Sequence, residues 1–227
     1  PPRSTLFPYT TLFRSNVIIE RCRFIRNAVG GGDSGAVFMY NGGNTTVHNS
    51  LFDGNTGFKG ASAFNYWNWS WMQLINCTFI NNQADAGSGG GNAVHTIDAD
   101  AQLINCIVWN ENAVSEITYS GSAGEPWVAN SIVRGGYSGS GIYDLNPLLV
   151  DMLGGDYRLT TSSPCVNTGA NAWVFDDLDG NPRDDFTDIG CAEFIPTPPT
   201  IWYVDLSNTM NPQTGMTWDY AFVDLQS

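Results

Sequence analysis

Short apolar stretches separated by Gly, Asn, Ser and Thr recur along the chain at a nearly constant interval. The clearest is residues 74–82, LINCTFINN, in which apolar residues flank a central cysteine. Related stretches are centred on Cys22, Ser50, Cys106 and Ser131, so the small residue of successive copies is displaced by 28, 27, 29 and 25 residues. Such a period predicts stacked supersecondary units, because one unit cannot bury its own apolar face.

A second apolar patch precedes the first in each unit. It begins at Ala36, Ala63, Ala93 and Ile117, which lie 14, 14, 13 and 14 residues before the small residue of the next stretch. No apolar stripe of helical period is long enough for a helix. Short strands in a helix-free repeat therefore predict an all-β fold, a right-handed single-stranded parallel β-helix.

Coils of such a solenoid lie about 4.8 Å apart, so equivalent residues stack on one another. We expect two inward stacks, one of Phe and Val and one of small residues. The first is Phe24, Phe52, Phe79, Val108 and Val133, and the second is Cys22, Ser50, Cys77, Cys106 and Ser131.

An asparagine follows the stacked phenylalanine by three positions in Asn27, Asn55 and Asn82. Asparagine tolerates left-handed backbone and can form an amide ladder between coils. Glu111 and Gly136 occupy this position in the last two coils, so the ladder is expected to end before them.

These residues resemble a known family. The Phe-x-x-Asn signature at residues 24–27, 52–55 and 79–82, with loose forms of Gly-Gly-Ala-Ile at 34–37 and 91–94, is similar to repeats of the polymorphic outer-membrane proteins and their bacterial β-helix relatives. The resemblance implies a secreted or outer-surface protein with an adhesin-like role.

The motifs after residue 144 resemble the choice-of-anchor Q type C-terminal segment of secreted bacterial β-helix proteins. They are residues 145–151, 155–159, 163–169, 179–183 and 188–193. The resemblance implies a cap that closes the solenoid, since an open end would expose apolar interior and strand edges. Arg183, near Asp188 and Glu193, is expected to form an ion pair that fixes this cap.

The chain divides into four parts. Residues 1–15, PPRSTLFPYTTLFRS, resemble a translated sequencing-library adapter over all fifteen codons, so they are treated as non-native, although Leu6-Phe7 and Leu12-Phe13 can still add strands. Residues 16–195 are the expected β-helix with its cap, and 196–200 are a Pro-rich linker. Residues 201–227 resemble the truncated start of a second β-helix module, as expected for a piece of a tandem array from environmental DNA.

The charge balance excludes some partners. The chain has 22 Asp and Glu against 9 Lys and Arg, which argues against nucleic acid and anionic membranes. No apolar run reaches the length of a membrane span.

The five cysteines lack metal-ligand spacing, which argues against zinc. Cys77 and Cys106 are expected to be stacked free thiols, because their parallel Cβ directions suit a disulfide poorly. Cys165 and Cys191 are either free or bridged. No cofactor is expected. The alternative is calcium at an acidic cluster whose spacing fails the EF-hand pattern: Asp176, Asp177, Asp179, Asp184, Asp185 and Asp188.

The most function-like stretch is residues 66–71, with Tyr66, Trp67, Trp69 and Trp71. If this stretch is extended, its three tryptophans point to one side. Such a row can stack on sugar rings of an extracellular polysaccharide or cell-surface glycan, because exposed aromatic patches mark binding surfaces. The alternative is that the indoles pack on a neighbouring corner of the solenoid.

The pattern favours a non-catalytic module. Asp98 and Asp100 would share a face if extended, yet a solvated turn explains them better. Two alternatives stay open: a polysaccharide lyase or glycoside hydrolase whose catalytic coils lie upstream of residue 16, and a purely structural spacer.

Overall fold

The protein is a parallel β-solenoid. The computed structural model describes residues 10–13, 16–29, 36–40, 42–67, 70–111 and 113–196, and these contain strands and turns but no helix. Consecutive coils stack on three faces, here called A, B and C, so the predicted all-β parallel β-helix class is confirmed.

Each face is a ladder of parallel strands. Face A consists of β1 (Thr10–Phe13), β4 (Val37–Tyr40), β8 (Ala63–Tyr66), β12 (Val94–Ile97) and β15 (Ile117–Ser120). Face B consists of β2 (Asn16–Glu20), β5 (Asn44–His48), β9 (Trp71–Ile75), β13 (Asp100–Ile104) and the first half of β16 (Trp127–Val133). Face C consists of β3 (Arg23–Ile25), β6 (Leu51–Asp53), β10 (Thr78–Ile80), β14 (Ile107–Trp109) and the second half of β16.

Three further strand pairings lie outside these ladders. β7 (Thr56–Gly57) pairs with β11 (Gln83–Ala84), and β17 (Ser140–Tyr143) pairs with β16. β18 (Leu149–Asp151) and β19 (Asp156–Leu159) form an antiparallel pair. Thr10–Phe13, within the adapter-like segment, pairs with β4, as the Leu12-Phe13 prediction anticipated.

The predicted register holds on faces B and C. Face B pairs Asn16 with Asn44, Asn44 with Trp71 and Trp71 with Asp100, and further along it pairs Gln102 with Trp127. These steps are the predicted 28, 27, 29 and 25 residues.

Face A departs from the prediction by one residue. Ala63 pairs with Val37 and Val94, where Ala36 and Ala93 were expected. The corner between faces A and B differs in length from coil to coil, so counting back from the small residue misplaces these two strands.

Both predicted inward stacks are present. The rings of Phe24, Phe52 and Phe79 stack with centroids 4.7 Å apart at each step, and Val108 and Val133 continue the stack. In the small-residue column the hydroxyl groups of Ser50 and Ser131 accept hydrogen bonds from the main-chain N–H groups of the preceding coils.

The asparagine ladder is longer than predicted. The main-chain and side-chain N–H groups of Asn27 both donate to Asn55 Oδ1, and the same pair of bonds links Asn55 to Asn82 and Asn82 to Asn110. The expectation that the ladder ends before Glu111 is wrong, because Asn110 takes the place one residue earlier. Glu116 then ends the ladder, accepting both Asn110 donors at 2.6–2.7 Å.

The C-terminal segment does not close the end of the solenoid. The end is covered by Tyr137 and Ile142, which pack against the core around β17. The segment from about residue 145 to 194 instead runs along face C, where its residues bury the outward side chains of the coils. The two resulting clusters contain Leu51 and Ile80 with Tyr157, Leu178 and Cys191, and Ile107 and Ile132 with Leu159, Cys165 and Ile189.

Arg183 holds this flanking segment in place. Its guanidinium group lies 2.7 Å from Glu193 and donates to the carbonyl groups of Asp188 and Gly190. Its Nε donates to Asn49 in the solenoid. The predicted ion pair is therefore confirmed for Glu193, whereas Asp188 is contacted through its main chain.

The corner between faces B and C carries a second asparagine column, formed by Asn49, Asn76 and Asn105. All three have left-handed backbone, with φ near 50°. Asn105 donates to Asn76 and exchanges two hydrogen bonds with Ala170 of the flanking segment. Asn76 is fully buried.

The five cysteines are free thiols, and only Cys22 is not buried. Burial raises the pKa of Cys165 and Cys191 to about 12, which keeps both protonated. These two residues lie in separate apolar clusters, so the unbridged alternative holds.

The chain separates into two compact units, residues 1–194 and 195–227. The predicted linker and second module fall almost wholly outside the described residues, as does most of the adapter-like segment. The described part of the chain contains no helix that is long and apolar enough to cross a membrane.

We expect Asn82→Ala to lower the free energy of unfolding by about 3 kcal/mol, because it leaves the two donors of Asn55 and the carbonyl of Phe52 unpaired in a buried corner. The matched control is Asn81→Ala, an exposed left-handed neighbour, which should cost about 1 kcal/mol. Chemical denaturation of both variants measures the difference. Equal losses would contradict the ladder's role.

We expect Arg183→Met to destabilise the protein by about 3–5 kcal/mol, because it leaves the buried carboxylate of Glu193 without its ion-pair partner. Arg158→Met removes a solvent-exposed ion pair with Asp156 and should change stability little. Thermal and urea unfolding compare the two. A small loss at Arg183 would show that the apolar clusters alone hold the flanking segment.

Candidate functional site: face B and its aromatic corner

The corner between faces A and B is a tight turn built around Asn65 and Ser70. The buried Asn65 side chain donates to the carbonyls of Ser70 and Asp100, which ties two successive coils together. Ser70 Oγ donates to Trp67 O and accepts from the main-chain N–H of Gly42. The corner is thus fixed by hydrogen bonds inside and between coils.

The predicted tryptophan row does not form one extended strand. Trp67 has φ of 73° and begins the turn, so its side chain does not continue the alternation of β8. Trp71 begins the next strand and is 39% exposed, whereas Tyr66 ends β8 and is half-buried. Trp69 lies outside the described residues. The extended arrangement of residues 66–71 is therefore wrong, while Trp67 and Trp71 are both exposed at this corner.

Aromatic side chains stack along the outside of face A next to the corner. Phe38 and Phe64 are parallel, with centroids 5.1 Å apart, and Tyr66 lies 5.7 Å from Phe64 and 5.9 Å from Trp67. The Tyr66 ring therefore packs against Trp67, as the alternative of aromatic packing on the solenoid corner predicts, and it is half-buried.

His95 continues the stack in the next coil, and its ring centroid lies 5.3 Å from that of Phe64. Its Nδ1 lies 2.6 Å from Thr118 Oγ1, and its buried Nε2 has no hydrogen-bond partner. Burial, assisted by the charge of Lys59, lowers the pKa of His95 to about 4. The side chain is therefore neutral near pH 7 and acts as part of the aromatic stack.

Face B is the solenoid face whose outward side chains are mostly accessible. Alternation along each strand places residues in three outward columns. They are Asn16, Asn44, Trp71 and Asp100; Ile18, Thr46, Gln73, Gln102 and Trp127; and Glu20, His48, Ile75 and Ile104.

Two exposed tryptophans share this face. Trp127 is 50% exposed. It lies two coils (two rungs of the ladder) from Gln73 in the central outward column, and that column is adjacent to the column of Trp71. From strand geometry their Cα atoms are about 12 Å apart. Between them, Gln73 Nε2 donates to Gln102 Oε1 at 2.6 Å. The surface therefore combines aromatic faces with fixed amide groups.

Trp127 was missed from the sequence, although a signal for it was present. The 25-residue step from the Gln102 rung places it in the central outward column. The repeat itself therefore predicts the proximity of Trp127 to Trp71, although the two residues lie far apart in sequence.

The two carboxylates in the outward columns of face B, Glu20 and Asp100, are too far apart for paired acid–base chemistry, and Asp98 at the adjoining corner is held in a turn. Asp98 has left-handed backbone and accepts two hydrogen bonds from Ser122, which lower the pKa of its carboxyl group. Glu20 and Asp100 lie three rungs apart, at least about 14 Å, whereas glycosidase carboxylates lie about 5–9.5 Å apart.

Two carboxylates of the acidic cluster in the flanking segment form hydrogen bonds and an ion pair within the fold. Asp177 accepts hydrogen bonds from the main chain at residues 179, 181 and 193, and Asp176 pairs with Arg21 at 2.8 Å. In the part of the chain that the structure describes, no three acidic, histidine or cysteine side chains are grouped as a metal site.

Two shallow clefts lie elsewhere on the surface. One, of about 360 Å³, lies beside Trp109, Arg134 and Glu116. Burial raises the pKa of Glu116 to about 7, against the lowering effect of its Asn110 hydrogen bonds. The other, of about 290 Å³, lies between Arg23 and the β18–β19 pair. The Glu116 carboxylate in the first cleft already accepts the hydrogen bonds that end the asparagine ladder.

Comparisons with protein-family models, curated proteins and solved structures found no match to this chain. The fold and the geometry of face B therefore carry the functional argument.

We expect His95 to make stability pH-dependent. Because its folded pKa is lowered to about 4 from the ordinary 6.5, the unfolded chain binds more protons between these values, and stability falls as pH drops through this window. His95→Phe removes this term, so the wild type should lose about 3 kcal/mol more than the variant between pH 7 and pH 4.

Thr118→Val is the control, because it removes the hydrogen bond and keeps the titrating ring. The free energy of unfolding of this variant should differ from that of the wild type by the same amount at every pH at which the His95 ring is neutral. Urea titrations at several pH values measure the three curves. Parallel curves for the wild type and His95→Phe would contradict the assignment.

Proposed function

We propose that the protein is a non-catalytic glycan-binding module that holds carbohydrate on face B. The observation that carries the proposal is the pair of exposed tryptophans, Trp71 and Trp127, on one rigid strand face. Indole rings offer an apolar surface to the C–H face of a sugar ring.

The polar groups between the tryptophans suit the hydroxyl groups of a sugar. The mutual hydrogen bond of Gln73 and Gln102 fixes both amides and leaves donors and acceptors directed to solvent. A few fixed polar groups beside aromatic surface are typical of ligand sites.

The backbone beneath this surface is pre-organised. Every strand of face B pairs with neighbours in the solenoid, and Asn65 fixes the adjoining corner. A surface that needs no ordering on binding avoids part of the entropic cost of association.

A secreted or surface-displayed location belongs to the same proposal, since the repeat and C-terminal motifs resemble those of exported β-helix proteins. The wide separation of Glu20 and Asp100 supports binding over hydrolysis.

We expect Trp71→Ala and Trp127→Ala each to weaken glycan binding at least about tenfold, which is about 1.4 kcal/mol. Phe58→Ala, at an exposed aromatic between β7 and β8, is the matched control and should bind like the wild type. A glycan array identifies ligands, and isothermal titration calorimetry gives the affinities.

Binding that survives both tryptophan substitutions would overturn face B as the site. The same incubations are assayed for new reducing or unsaturated ends, with and without calcium. Product release by the purified chain would overturn the non-catalytic assignment and favour the hydrolase or lyase alternative.

A further inference from the structure

The flanking segment follows the edge of face B opposite to the tryptophan corner. Ala170 is bound to Asn105, and the carbonyl of Asp176 accepts from Asn49 two rungs away. Residues 170–176 therefore run along the solenoid axis over the corner between faces B and C. The outward Ile75 beside that corner is only 7% exposed, as an overhanging segment requires.

This part of the segment carries two exposed aromatic side chains. Trp173 is 78% exposed and Phe175 is 75% exposed, and exposure alternates along the segment so that both lie on its solvent side. Trp173 also has φ of 58°. Bulky residues rarely adopt left-handed backbone, and strain of this kind concentrates at functional sites.

Face B is thus bordered by aromatic residues on both sides. The strand from Trp71 to the corner residue Asn76 spans about 17 Å. Trp71 and Trp67 border one edge, Trp173 and Phe175 border the other, and the column of Thr46, Gln73 and Gln102 lies between them. The resulting channel runs along the solenoid axis and continues across successive coils.

The charges of the channel select against anionic ligands. Among its described outward residues there is no Lys or Arg, and its charged groups are Glu20 and Asp100. The neighbouring Arg21 is already paired with Asp176, and the whole chain carries a net charge of −13. A polyuronate or sulfated polymer would meet repulsion without a compensating cation.

We propose that face B binds an uncharged polysaccharide lying along the solenoid axis, with Trp173 and Phe175 as a second aromatic wall. This inference rests on the proposed function of face B and adds to it the ligand class and the contribution of the C-terminal segment. It also assigns that segment a binding role beyond covering face C.

The test uses the full chain in affinity electrophoresis and calorimetry with neutral glucan and xylan, polygalacturonate and a sulfated glycan. We expect the neutral polymers to bind with little dependence on salt. Trp173→Gly, which removes the ring and relieves the left-handed strain, should lower their affinity at least about fivefold without lowering the melting temperature. Phe186→Ala, at an exposed aromatic on the returning limb of the same segment, is the matched control.

The outcomes separate the two proposals. If Trp71→Ala and Trp127→Ala weaken binding but Trp173→Gly does not, the second wall is overturned while glycan binding on face B stands. Tighter binding of polygalacturonate or the sulfated glycan than of the neutral polymers overturns the ligand class. Absence of binding to every polymer and to the array overturns both proposals.

Discussion

The structure depends on how a parallel solenoid satisfies the main chain at its buried corners. Asn55 and Asn82 each accept two N–H donors from the preceding coil and donate two of their own to the next coil. A hydrogen-bond ladder that runs in one direction cannot end on a buried asparagine, because the two N–H donors of that last residue would stay unpaired. Glu116 resolves this with two acceptor oxygens, so a buried carboxylate is the structural consequence of the ladder's direction.

The three faces differ in how far they are covered, because their outward side chains differ in polarity. Face C presents large apolar side chains outward, and these require cover, which the C-terminal segment supplies through two apolar clusters and the Arg183 network. Face A is covered in part by its own aromatic stack around Phe64. Face B presents mainly amides, hydroxyl groups and tryptophans, and its apolar Ile75 lies under residues 170–176, so the rest of the face stays accessible.

The period of the small-residue column was enough to predict the class of fold, the register of faces B and C and the stacked side chains. It failed wherever a corner changed length. Between Phe79 and Asn82 a left-handed residue intervenes, but Asn110 follows Trp109 directly, and so counting three residues from Val108 misplaced the ladder. The flanking segment could not be located from sequence, because its contacts do not follow the repeat and join distant residues, such as Arg183 and Asn49, which are 134 positions apart.

The same distinction explains the candidate site. A run of tryptophans in sequence indicated a binding surface, yet the turn at Trp67 divides the run between two faces. Trp71 and Trp127 are 56 residues apart in sequence and become neighbours only through the stacking of coils. In a solenoid, neighbouring side chains on one face come from residues one or more periods apart in sequence, because alternation and corners separate consecutive residues while strand pairing brings equivalent residues together. A search for function in such a protein is therefore best made along the columns of each face.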